Sequence, residues 1–77
     1  MKYDRFLHAQ QRAWERYKIY LTKDKERYFV KVIESNPSKY FVRKLSRKRS
    51  LYSIPYKNMI VKIAYQKNKK NIHSFYG

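Results

Sequence analysis

Cysteine is absent from this 77-residue chain, carboxylates number only five, and the single glycine is the last residue. Without cysteine, neither a disulfide framework nor a thiolate metal site can form. Five carboxylates and two histidines are few ligands for hard cations, which argues against metal-assisted nuclease chemistry. Gly77 cannot build a Gly-rich phosphate loop, and no His-Glu-x-x-His is present. Nor does the sequence offer a paired-carboxylate glycosidase site. Every serine lies from Ser35 onward, where no acid occurs, so a serine triad would have to borrow its acid from elsewhere in the chain. These absences leave no cofactor and no metal to be expected. No apolar run approaches a membrane span, and Met1-Lys2-Tyr3-Asp4-Arg5-Phe6 lacks the apolar stretch of a secretory signal. The expected setting is the cytoplasm of a host cell, with no membrane partner.

What the chain does have is positive charge and aromatic rings. Twenty lysines and arginines give a formal charge of +15 and a pI near 10.2. With 43% hydrophobic and 18% aromatic residues, it can fold despite that charge, and at this length one domain over residues 1–77 with a small core is expected. The charge is uneven. Residues 1–34 carry nine basic and all five acidic side chains, whereas residues 35–77 carry eleven basic and none acidic. An acid-free segment rich in tyrosine suits phosphates, with rings available to stack on bases, so RNA or another polyanion is the expected partner. The plainer reading is a solvated basic surface shaped by the codon bias of an AT-rich genome.

Periodicity divides the chain at Pro37. Phe6, Leu7, Ala13, Trp14 and Tyr17, preceded by Tyr3, recur at helical spacing and predict a helix over 4–17. Thr22 offers an N-cap, Asp24 and Glu26 suit the positive helix end, and Phe29, Val32 and Ile33 form a stripe, predicting a second helix over 23–35. After Pro37, runs rich in β-branched and aromatic residues predict strands near 39–45, 50–56, 58–66 and 71–76. Pro55 suggests an edge or a bulge, and Lys57-Asn58 a two-residue hairpin turn, since Asn tolerates positive φ. The expected fold class is α+β, with two N-terminal helices packed on a four-stranded antiparallel sheet.

Two constellations carry candidate chemistry. His8, Arg12 and Arg16 are four apart and share one side of the first helix. An imidazole between permanent cations suits acid–base work on a phosphodiester, the guanidiniums holding the phosphate and its extra charge in the transition state. An exposed helical face of this kind is more often simply solvated. In the last strand, Ser74 and Tyr76 fall on one face by alternation, and His73 and Phe75 on the other. Ser74 can bond a phosphate oxygen and Tyr76 can stack on a base, or they are filler and core lid. By the same alternation, His73 should be dispensable for any activity of His8.

The segment His8-Ala9-Gln10-Gln11-Arg12-Ala13-Trp14-Glu15-Arg16-Tyr17, the stretch Arg49 to Tyr65 and the ending Ile72-His73-Ser74-Phe75-Tyr76-Gly77 together resemble a known group. They look like small, often phage-encoded or toxin-borne members of the barnase, EndoU, colicin D and RelE group of metal-free ribonucleases. The likeness spans nearly the whole chain through short, degenerate motifs. It implies His8 as general acid or base, Arg12 and Arg16 as phosphate ligands, Ser74 as a hydroxyl contact, and Arg49 or Lys62 as further electrostatic contributors. The implied reaction is attack of the RNA 2′-hydroxyl on the adjacent phosphate. The sequence departs from the group at Ser74, where Thr is commoner, at His73, where a hydrophobic residue is usual, and at Gly77, where Pro is frequent. Only Glu15 or Asp4 offers an acid to orient His8.

The leading expectation is a small basic RNA-binding protein of phage type from the ribonuclease-like group, with metal-independent endoribonuclease activity left open by the sequence. Arg47, Lys48, Arg49, Lys62 and Tyr76 are its expected nucleic-acid contacts. The alternative is a non-catalytic binder steered by its charge onto RNA or an acidic host enzyme. A structural ribosomal or virion protein is a third reading, although such chains more often carry a long basic tail.

Overall fold

A computed structural model describes residues 4–76. The elements run α1 (Arg5–Tyr17), α2 (Lys23–Ser35), α3 (Pro37–Tyr40), then β1 (Phe41–Lys44), β2 (Arg49–Tyr56), β3 (Met59–Gln66) and β4 (Asn71–Tyr76). The strands form one antiparallel meander in the order β1-β2-β3-β4, the expected α+β architecture. Among the described residues, no helix is long and apolar enough to cross a membrane.

The helix starts follow from their caps. The Asp4 carboxylate accepts the Phe6 and Leu7 N–H groups at 2.9 and 3.2 Å, and the Thr22 hydroxyl accepts Lys25 N–H at 3.2 Å. Lys18 ends α1 in the left-handed region, at φ 57°. Asn36 ends α2, because the residue before Pro37 is pushed out of helical conformation. Pro37 then starts a single helical turn where a strand beginning at 39 is expected. Its fixed φ suits a first helical position, so Tyr40 closes α3 and β1 begins only at Phe41.

Inside α1, Ala9 and Ala13 are buried, with Phe6 and Tyr17 packed beside them, whereas Leu7 and Trp14 of the expected stripe stay more than half exposed. Tyr3 lies outside the described residues. Small alanines let α1 approach the sheet closely. The core joins Ala9, Ala13, Leu21, Phe29 and Ile33 to Tyr52, Ile54, Val61, Ile63, Tyr65, Ile72 and Phe75. Phe29 is its aromatic centre, edge-on to Phe75 at 5.9 Å and 5.1 Å from Tyr56.

Cross-strand partners share a face, so the register sorts the sheet residues. Rows such as Tyr52–Ile63–Phe75 and Ser50–Tyr65–Ile72 face the helices. Rows Arg43–Leu51–Ala64–Ser74, Arg49–Gln66–Asn71 and Ser53–Lys62–Tyr76 form the opposite face, on which Leu51, Ala64 and Ser74 are themselves buried. Pro55 is tolerated on β2, an inner strand, because β1 pairs only with Ser50, Leu51 and Tyr52 and has ended before Pro55 is reached. The Lys57-Asn58 hairpin forms as expected, but the positive φ, 54°, belongs to Lys57.

β4 is an edge strand, and α1 lies along its outer side. The Glu26 carboxylate accepts both Arg5 Nη1–H at 2.6 Å and Ile72 N–H at 3.4 Å, while Arg5 also donates to the Ile72 carbonyl. An ion pair thus satisfies backbone groups that a fifth strand would otherwise take. At the other end, the Tyr17 hydroxyl donates to the Tyr76 carbonyl and accepts Lys62 N–H at 3.0 Å. Glu26→Ala leaves the Arg5 guanidinium without its counter-charge and the buried Ile72 N–H without its acceptor. It should cost about 2–3 kcal/mol, less than a fully buried pair because the Arg5 side chain keeps 24% exposure. Thermal unfolding by circular dichroism should show a fall of roughly 10–20 °C. A fall of only a few degrees would mean that the ion pair does not hold the edge.

Candidate functional site

Because α1 is pinned to β4 at Arg5 and Tyr17, the side chains between those points meet the strand. His8 Nε2 lies 3.4 Å from Ser74 Oγ. Ser74 donates when Nε2 is bare and accepts when Nε2 carries the proton. His8, Arg12 and Arg16 from one helix side, with His73, Ser74, Phe75 and Tyr76 from β4, line a cleft of about 310 Å³. All four residues expected to carry the chemistry, His8, Arg12, Arg16 and Ser74, therefore converge, although more than fifty residues separate α1 from β4 in the chain.

His73 corrects the sequence expectation. Simple alternation puts it on the face away from Ser74, yet its ring lies 6.1 Å from that of His8, tilted by 42°. A β-bulge is the reason. Ala64 pairs with Ser74 and Tyr65 with Ile72, so His73 is an extra residue with no partner of its own on β3. The bulge lets Ile72 and Phe75, three apart, both point into the core, and it turns His73 toward the cleft. That spacing was the available signal, since strict alternation cannot place Ile72 and Phe75 on one face.

The surroundings of the cleft are cationic. Burial, then the charges of Arg49, His8 and Arg5, hold the His73 imidazole below its ordinary pKa and favour its neutral form. The two candidate orienting acids are engaged elsewhere: Asp4 caps α1, and Glu15 accepts Arg12 Nη1–H and Gln11 Nε2–H at 3.2 Å each. Arg12 thus reaches the cleft from a partly exposed ion pair, a contact that a phosphate can compete for. Among the described residues, no three side chains of the metal-ligating types come together.

The remaining expected contacts separate into two groups. Tyr76 lines the cleft, and Arg49 and Lys62 lie on the sheet face of the Ser74 row, where Arg43, not singled out from the sequence, joins them. Arg47 and Lys48 do not reach this cleft. They sit after β1, around a different hollow on the helix side of the sheet. The sequence grouped Arg47, Lys48 and Arg49 as neighbours, but the turn sends Arg49 to the opposite face.

The lowered His73 pKa has a thermodynamic consequence. In the unfolded chain this imidazole takes up a proton near its ordinary pKa of about 6.5, whereas the folded chain resists protonation until lower pH. Its contribution to stability is therefore full above about pH 6.5 and is lost as pH falls through the folded pKa. Urea midpoints measured between about pH 7 and 5 should fall less steeply for His73→Gln than for the native chain. Equal slopes would contradict this environment for His73.

Comparison with protein families, with curated proteins and with solved structures found no match to this chain.

Proposed function

We propose that this chain is an RNA-binding protein and a metal-independent endoribonuclease, with the cleft between α1 and β4 as its active site. The observation that carries the reading is the facing of His8 and His73 across a cleft that also presents Arg12, Arg16 and Ser74. Both imidazoles line the one cleft with their ring centroids 6.1 Å apart, so a phosphodiester bound there lies beside both.

His73, favoured in its neutral form, suits the general base. It takes the proton from the ribose 2′-hydroxyl as that oxygen attacks the adjacent phosphorus. His8 then gives a proton to the departing 5′-oxygen as the P–O5′ bond breaks, leaving a 2′,3′-cyclic phosphate and a 5′-hydroxyl. Arg12 and Arg16 neutralise the charge that builds on the phosphoryl oxygens, and the Ser74 hydroxyl holds the position of His8 Nε2. Arg43, Arg49 and Lys62 on the Ser74 face of the sheet extend the positive surface along which the strand enters.

A second reading rests on a different surface. Leu7, Trp14 and Tyr20 are exposed together on the outer side of α1 and form an apolar groove with Gln10 and Gln11. Such a groove on a strongly basic chain fits docking to an acidic host protein, with or without catalysis.

Incubation with RNA in the presence of EDTA, followed by mapping of the ends, separates the two. Cyclic phosphate ends should appear, with a bell-shaped pH dependence. His8→Ala and His73→Ala should each slow cleavage by about 10²–10⁴-fold, and the double variant by less than the product. Ser74→Ala should cost less. Full activity of His73→Ala would remove it from the reaction, and intact RNA that is tightly retained would favour the binder.

A further inference from the structure

On the helix-facing side of the sheet, at the corner away from α1, a second hollow of about 670 Å³ is lined by Phe41, Ser50 and Tyr52, with Lys44, Arg47, Lys48 and Lys67 around it. The register explains why these residues meet. Phe41 pairs with Tyr52 and Lys44 with Ser50, so all four project from β1 and β2 on the face that the helices cover elsewhere. The Phe41 ring stands edge-on to Tyr52 at 5.8 Å and is 46% exposed. Arg47 and Lys48 come from the turn after β1, and Lys67 from the turn after β3, which the meander brings to the same end of the sheet.

Four cations around an aromatic floor form a distinct chemical environment. A purely electrostatic surface does not need an exposed phenylalanine, and a purely apolar docking face does not need four lysine or arginine heads. The combination fits a group that is planar and aromatic at one end and anionic at the other. We infer that the hollow floored by Phe41 and Tyr52 binds an unpaired nucleotide of a single-stranded nucleic acid, its base stacked on Phe41 and its phosphates held by Lys44, Arg47, Lys48 and Lys67. Duplexes are excluded from this contact because their bases are already stacked within the helix. The hollow recognises the base and phosphate, so strands of RNA and of DNA both fit it.

This site deepens the proposed RNA-binding function and rests on it. The sheet separates β1 from β4 by three strand spacings, about 14 Å, and the hollow and the Ser74 row lie on different faces, so a strand occupying both has to pass round the end of the sheet. Between them it would cross the end of the sheet that carries the basic turns, with Lys69 and Lys70 beside Lys67. The hollow would then hold a strand in place while the cleft acts on it at a distance.

The test uses the full chain and a labelled oligouridylate of about ten nucleotides, within the usual site size for such binders, with the deoxy strand and an RNA duplex alongside. Phe41→Leu keeps apolar cover on Tyr52 but removes the stacking ring, and circular dichroism checks that it folds. It should weaken binding of both single strands by about 5- to 150-fold, the range set by one base–aromatic stack, and leave duplex binding unchanged. Lys44→Gln with Lys67→Gln should make the salt dependence of single-strand binding shallower.

Unchanged single-strand affinity in Phe41→Leu would overturn the hollow, and loss of cleavage in His8→Ala in the same preparation would leave the proposed function standing. Weakened binding without any cleavage by the native chain would support the hollow and remove the enzyme. Failure of the native chain to bind either single strand at low salt would overturn both.

Discussion

The open edge of β4 is the constraint on which the rest of the molecule depends. An edge strand presents backbone N–H and C=O groups that must be satisfied or covered. Here two helices share it: Arg5 of α1 and Glu26 of α2 satisfy Ile72, and the Tyr17 hydroxyl of α1 ties the end of the strand down by bridging the Tyr76 carbonyl and Lys62 N–H of β3. Covering the edge also fixes the geometry of the cleft. Once α1 is pinned along β4 at two points, the helix side carrying His8, Arg12 and Arg16 has to face Ser74 and its neighbours. The close approach depends on Ala9 and Ala13, because larger side chains there would push the helix off the strand.

The bulge at His73 is the second part of the design. It costs a regular ladder step and gains an imidazole on the cleft side of the strand, with Ile72 and Phe75 still committed to the core. Phe75 packs on both Phe29 and Tyr17, so the residues on either side of the bulge are anchored by core contacts. Strand, helix and core therefore share the task of setting the His8–His73 separation. The same concentration of cations that suits a polyanion also disfavours protonating His73, which links the charge of the chain to the chemistry of one ring.

Much of this was legible in the sequence because it depends on local periodicity. The change from helical to alternating spacing at Pro37 located both long helices and all four strands, and the four-residue spacing of His8, Arg12 and Arg16 gave the correct helix side. What was hidden depends on tertiary detail. The turn of α3 was obscured by Tyr40-Phe41-Val42, whose β propensity outweighed the helix-starting role of Pro37. Leu7 and Trp14 read as core because hydrophobicity alone does not show that close packing favours alanine on that helix. The bulge shifts His73 to the other face, and a residue-by-residue alternation has no way to register an insertion except through the misplaced pair Ile72 and Phe75. Likewise, Arg47 and Lys48 part from Arg49 because they lie in the turn while Arg49 already belongs to β2, and Phe41 joins the first two through its pairing with Tyr52.

In the proposed site, His8 and His73 face one phosphate. NMR titration of the two imidazole resonances with inorganic phosphate at constant pH and ionic strength tests it most directly, with chloride as the control anion. Both resonances should move along one saturation curve, and Arg12→Gln should weaken that curve for both together. Movement of only one imidazole, or two curves with different midpoints, would contradict a shared phosphate site.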